Sequence, residues 1–288
     1  MRKEAAPVKL ARAWRPAVAR ALFYLALVLG LLLMLFPFLW LLLTSVRPAA
    51  EVYLIPPRWL PASVHFDRYA EVLSRYRFGV YLRNSLVVAA LTTLISTALG
   101  ALAAYGFARH RSRTKEVLFL LVMVTRMLPG ISILVPTYML YSRLRLLNTH
   151  LALVATYVAF SIPFTIWLMR AFFQSIPLEL EEAARIDGCT NLGVVGRIAL
   201  PLAMPGLVTV VILNFFGAWS ELMFALVLLS TDSTKTLPVA VAGLIGDQRF
   251  PWDLLSSAAV ICVLPVLLFA LFFERYIVAG ITAGAVKG

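Results

Sequence analysis

Charged side chains are scarce in this chain. Of its 288 residues, 14% are Asp, Glu, Lys or Arg, against about 25% in a soluble domain. With 61% hydrophobic residues and a mean hydropathy of +0.89, that shortage excludes a water-soluble globular domain. Acidic residues are the scarcer sign, 14 against 26 basic, for a formal net charge of +12. The surplus does not imply a nucleic-acid partner, because the basic residues lie scattered between apolar runs. Lys and Arg that flank membrane spans hold short loops on the cytoplasmic side, and topology accounts for them. Two cysteines build no disulfide framework; Cys189 in a polar stretch and Cys262 in an apolar run are expected to be far apart and reduced. The three histidines, His65, His110 and His150, are spread over loops, with no His/Cys cluster at metal spacing. Gly-x-x-x-x-Gly-Lys-Ser/Thr does not occur, so the chain is not expected to cradle nucleotide phosphates. No nucleophile–base pair emerges from the spacing. The expectation is a membrane protein that is not an enzyme and binds no cofactor or metal itself.

Long hydrophobic runs are what the chain has instead. The tail 1–20 carries Arg2, Lys3, Lys9, Arg12, Arg15 and Arg20 and precedes an uncharged run, Ala21–Val46. A secretory signal has an apolar core of about 7–15 residues, and this run is far longer. It reads as a first span across about 30 Å of hydrocarbon, with Pro37 a candidate kink. Pro48–Arg83 reads as an extracytoplasmic loop, stiffened by Pro56, Pro57, Trp59 and Pro61. A short amphipathic helix should follow, with Phe66, Tyr69, Leu73 and Tyr76 on one face. Arg58, Arg68, Arg75 and Arg77 in this loop run against a simple charge count.

The second span, Asn84–Ala108, holds Asn84, Ser85, Thr92, Thr93, Ser96, Thr97 and Gly100, small and polar residues that suit helix packing. Arg109, His110, Arg111, Arg113 and Lys115 then mark a cytoplasmic loop. The third span, Glu116–Tyr141, is interrupted at Arg126 and Pro129-Gly130, and a turn with Arg143 and Arg145 follows. Leu151–Met169, with Pro163 inside, is the fourth; Leu207–Ser230 the fifth; Leu254–Phe273 the sixth, after an outside loop Thr231–Asp253. The reading is an all-α membrane protein of six transmembrane helices, both termini cytoplasmic. One membrane domain, 21–273, lies between a basic tail 1–20 and a tail 274–288.

Between the fourth and fifth spans lies a polar interruption, Ser175–Pro205. Pro177 suits a helix start, and Glu179, Glu181 and Glu182 suit the positive end of the helix dipole. Ile176, Leu180, Ala183 and Ala184 recur at helical spacing as one apolar stripe. Gly188 supplies the left-handed residue that ends many helices. Thr190 can cap a second helix, running towards Leu200 and closed by Pro201. The small Ala183-Ala184 face with acidic neighbours suits docking into a partner's groove; the plainer alternative is an interfacial loop helix.

The pattern Glu182-Ala183-Ala184, Gly188, Ile198, Leu200-Pro201 resembles the EAA signature of permease subunits of ABC importers, with Cys189 where a small residue such as Ala is usual. Further segments are similar to the smaller permease of carbohydrate importers of the maltose/trehalose/glycerol-phosphate type. They are Ala50-Glu51-Val52-Tyr53 with Pro56-Pro57, Met127-Leu128-Pro129, Leu237-Pro238-Val239 and the ending Gly280–Gly288. The resemblance implies a type I importer permease fold. It implies an ATPase-coupling role for Glu182, Ala183, Ala184, Asp187, Gly188, Ile198, Leu200 and Pro201. It also implies a second, unlike permease, two copies of a cytosolic ATPase that holds ATP and Mg, and an extracytoplasmic sugar-binding protein.

Ionisable residues inside a span face a bundle interior or a wet cavity. Asn214, Trp219 and Glu221 fall in the fifth span and offer hydrogen-bonding groups and an aromatic face to a sugar path. In the resembled family Trp-Asn-Glu is common here, and Ser220 departs from it. The packing alternative pairs Glu221 with Arg126 or with a partner helix. Two other functions are compatible with a multi-span chain. An ion-driven secondary carrier is disfavoured by few buried acids and no visible inverted halves; a non-transporting scaffold for cytosolic proteins is the other.

Overall fold

The computed structural model describes residues 8–110, 112–246 and 251–285, of which 8–17, 246 and 274–285 by backbone alone. All regular structure among them is helical. The motif Gly280–Gly288 therefore has no described side chains. Two units are distinguished by their internal contacts: Met1–Tyr69 with Pro251–Val260, and Ala70–Phe250 with Ile261–Gly288.

In the first unit, α1 (Val8–Ser45) carries the apolar run and continues through Pro16 and Pro37. Its residues 18–39 are exposed throughout, as a helix facing lipid or a partner should be. The short α2 (Ala49–Val52) follows. Burial here centres on charge: Arg47 is buried with its guanidinium 5.1 Å from the Trp40 ring, and Asp253 is buried 2.8 Å from Arg68 Nε.

The second unit is built on α4 (Phe78–Arg109), α7 (His150–Gln174) and α11 (Met204–Ser220). Its interface is made of small residues. A Cβ on Gly100 would strike Thr165, and one on Gly206 would strike Phe172. Small residues let membrane helices approach until van der Waals packing holds them. Asn84, Ser85, Thr92, Thr93, Ser96 and Thr97 are all buried on this face of α4.

Four helices are long and apolar enough to cross a membrane, and up to six crossings result if each sharply bent pair is one span. The third expected span is such a pair. Here α5 (Arg113–Thr125) and α6 (Gly130–Arg143) meet at 92° across Arg126–Pro129. Pro129, in extended backbone, is the N-cap of α6.

Three expectations need correction. In α3 (Asp67–Ser74), Val72 is the buried residue, while Phe66 and Leu73 are exposed; the packed face runs through Tyr69, Val72 and Tyr76. The fifth span is not continuous, because α11 ends at Ser220 and α12 (Met223–Leu228) restarts after Glu221. The stretch Thr231–Asp253 contains a further helix, α13 (Leu237–Gly246). It is tied down where Leu237 N–H donates to Ser85 Oγ at 2.8 Å and Asn84 Nδ2 donates to the carbonyls of Ser233 and Lys235. The last span, Trp252–Phe273, ends where expected, on a helix, α14 (Trp252–Ala285), that runs on beyond it.

Candidate functional site: a docking helix and an intramembrane cavity

The polar interruption folds as a helix, a glycine turn and a second helix. Pro177 is the N-cap of α8 (Leu178–Ile186), and Glu179 and Glu181 lie in its first turn. The helix ends in a Schellman motif. Gly188, at φ +88°, donates to the Arg185 carbonyl, and Cys189 N–H reaches back to the Ala184 carbonyl at 2.9 Å. A β-carbon at that φ would clash with its own backbone, which is why Gly stands there. Thr190 then caps α9 (Asn191–Val194) by accepting from Gly193 N–H at 3.1 Å.

Pro201 does not close this second helix. The chain widens into a π turn over Val195–Ala199, continues as α10 (Leu200–Leu202), and bends only at Ala203, where α11 departs at 82°. A π turn shifts the bonding to i→i+5; Leu200 N–H bonds the Val195 carbonyl. The wider turn accommodates a proline that has no N–H to give.

The proposed coupling residues divide by orientation. Glu182, Ala183, Asp187, Gly188 and Pro201 are exposed; Ile198 and Leu200 are half-buried; Ala184 is buried against its own chain. The apolar stripe expected through Leu180 and Ala183 is therefore not the packed face, which runs through Ile176, Glu181 and Ala184. What α8 and α9 leave open is a row of large apolar side chains: Leu178, Leu180, Ile186 at 86% exposure and Leu192 at 76%.

Sequence reasoning missed Glu181, which is fully buried. Its carboxylate accepts from Tyr105 Oη at 2.6 Å and Arg109 Nε at 2.8 Å, with Arg185 Nη2 at 3.4 Å. Arg109 Nη2 lies 2.7 Å from the same carboxylate and also donates to the Ile176 carbonyl at 3.3 Å. Only the helical phase distinguished Glu181 from its acidic neighbours: it lies three residues before Ala184, on the inward side.

A half-open cavity of about 640 Å³ is lined among others by Arg126, Tyr157, Phe160, Phe164, Asn214 and Glu221. Asn214 Nδ2 donates to Ser96 Oγ at 3.1 Å, Thr97 Oγ1 at 3.4 Å and Thr165 Oγ1 at 3.0 Å, joining α11 to α4 and α7. Glu221 occupies the break between α11 and α12. It accepts from Phe224 and Ala225 N–H at 3.0 and 3.2 Å, and from Tyr157 Oη at 2.5 Å. Its carboxylate thus satisfies amides freed by the break, which explains why the helix stops there. Arg126 stacks over Phe164 at 4.9 Å. Trp219 stands apart from the cavity wall, stacked on Phe215 and donating Nε1–H to the Cys262 carbonyl at 3.1 Å.

A bundle of bent and continuous spans carrying an exposed helix–glycine–helix at one end is a transport permease architecture. Residues 96–283 match the family model described as binding-protein-dependent transport system inner membrane component. The chain belongs to that family. It is 36% identical to the sulfoquinovosyl glycerol transport system permease protein SmoH of Agrobacterium fabrum, over 88% of this chain and 89% of that one. It is 37% identical to the trehalose transport system permease protein SugB of Mycobacterium tuberculosis, over 88% of this chain and 93% of that one. The fold matches a crystal structure of a bacterial ABC transporter involved in import of the acidic polysaccharide alginate. That match has a TM-score of 0.74 and 22% identity and covers 96% of this chain and 99% of that chain. The protein is a multi-pass membrane permease with the type I ABC importer fold.

Proposed function

We propose that the chain is one of two unlike permease subunits of an ATP-driven, binding-protein-dependent sugar importer, forming half of its translocation path. The reading is supported most by the exposed apolar row Leu178, Ile186 and Leu192 beside Glu182 and Ala183. Exposed apolar patches rimmed by polar residues mark interaction sites, and this one fits a groove on a cytosolic ATPase. ATP and Mg belong to two copies of that ATPase, and this chain performs no catalysis of its own. An extracytoplasmic sugar-binding protein delivers the cargo. Relatives named for trehalose and sulfoquinovosyl glycerol transport support a sugar as that cargo. The cavity offers what a sugar needs: aromatic faces at Tyr157, Phe160 and Phe164, with Asn214, Glu221 and Arg126 for its hydroxyls. Trp219 backs the path by holding α11 against α14.

The orientation places both termini, the loop before Arg113 and the turn at Asn191 in the cytoplasm, with Arg58 and Ser233 outside. Single cysteines at these four positions, in a background lacking Cys189 and Cys262, test it. An impermeant thiol reagent should label only the Arg58 and Ser233 positions in intact cells. Labelling at Asn191 from outside would refute both the orientation and ATPase docking.

A further inference from the structure

The carboxylate of Glu181 lies in a protein interior, yet it belongs to the element that must be pushed and pulled by the ATPase. Its principal partners, Tyr105 and Arg109, are both on the last turns of α4. Arg109 also grips the Ile176 carbonyl, so one guanidinium holds the α7–α8 link and α8 together. Tyr105 is held in turn by edge-on contact with Phe173 at 5.5 Å. Twelve residues back along α4, about 18 Å at 1.5 Å per residue, Ser96 and Thr97 meet Asn214 on the cavity wall. The same helix therefore holds α8 at its C-terminal end and, near its middle, bonds Asn214, a residue of the cavity wall.

We propose that Glu181 is a positioning residue that fastens α8 to α4, so that displacement of the docking helix reaches the cavity through α4 as one rigid arm. This rests on the importer reading above. The competing route runs through the covalent link Ile176–Pro177 into α7, and needs no carboxylate at 181. A charged pair shielded from water resists separation far more than a surface pair does, which suits a joint that must carry load without slipping.

Spin labels at Glu179→Cys on α8 and Leu102→Cys on α4, with Cys189→Ser and Cys262→Ser, report the joint directly. The distance is read in the complete complex with the ATPase, the second permease and the binding protein, without nucleotide and after trapping with ATP and vanadate. With Glu181 intact, one narrow distance should persist in both conditions. With Glu181→Gln, trapping should shift or broaden it, and Tyr105→Phe, a milder change that keeps the ion pair, should do so to a smaller degree. A role in folding alone would lower the yield of complex but would not make the distance depend on nucleotide. A distance that changes on trapping with Glu181 intact, or stays fixed in Glu181→Gln, overturns the proposal and leaves the importer reading standing. If Glu181→Gln does not assemble, a fixed distance in Tyr105→Phe overturns it equally. If the unsubstituted chain retains no ATPase, the importer reading fails and this inference with it.

Discussion

Glu181 on α8 and Glu221 between α11 and α12 are both withdrawn from bulk water, but they are stabilised differently. Glu181 is neutralised by charge, with Arg109 and Arg185 around it and a tyrosine hydroxyl completing the set. Glu221 has backbone amides and one tyrosine hydroxyl as its partners. The first arrangement locks two helices through residues 72 apart in the sequence. The second is largely local, a carboxylate holding open a break in the helix that bears it. A strong, non-local tie suits a joint; a local, polar break suits a place where a cavity meets the membrane interior.

The sharpest way to break this contrast is to remove each carboxylate. Glu181→Ala leaves Arg109 buried without its partner, and losing one member of a buried pair costs about 3–5 kcal/mol. The expected result is a large fall in the thermal midpoint of the purified complex, or failure to assemble. Glu221→Ala leaves the Phe224 and Ala225 amides unsatisfied, at about 1–3 kcal/mol for an unpaired buried group. That complex should assemble with a smaller fall in midpoint, yet lose sugar uptake. If Glu221→Ala is the more destabilising of the two, the contrast is wrong. Gly188→Val forces a β-branched residue into the left-handed region at about 1–2 kcal/mol, on a surface turn. Membrane insertion should be normal and docking impaired, read by retention of the ATPase on purification. Asn214→Ala removes bonds to Ser96, Thr97 and Thr165; since such bonds between membrane helices average about 0.6 kcal/mol each, its cost is about 1–2 kcal/mol, no more than that of Gly188→Val. Its midpoint should fall modestly, and a complete loss of uptake would then mark Asn214 as part of the path.

Much of this architecture was legible in the residues. Run length located the spans, and Pro129-Gly130 located the bend between α5 and α6. Gly188 and Thr190 stand at the C′ and N-cap positions their chemistry suits. What was not legible depended on partners distant in sequence. Helical phase alone separates Glu181 from Glu182 in the sequence; that its partner is Arg109, on another helix, is not readable there. The break at Glu221 was hidden because its apolar flanks read as one continuous span, and only a carboxylate turning onto Phe224 and Ala225 shows where the helix stops. The packed side of α3 is not legible from size, since Phe66 and Leu73 are larger than Val72 and Val72 is the residue that is buried. Pro201 reads as a stop because a sequence does not show the π turn that accommodates it.

The central claim is that the exposed face of α8 transmits the ATPase cycle to the membrane. Ala183→Trp tests it most directly, because Ala183 is exposed and the indole obstructs a docked partner without straining this chain's own backbone. The complex, reconstituted in lipid with the ATPase, the second permease and the binding protein, is assayed for ATP hydrolysis with and without sugar. The account predicts normal insertion of the substituted chain and no sugar-dependent rise in hydrolysis. A rise equal to that of the unsubstituted complex would contradict it.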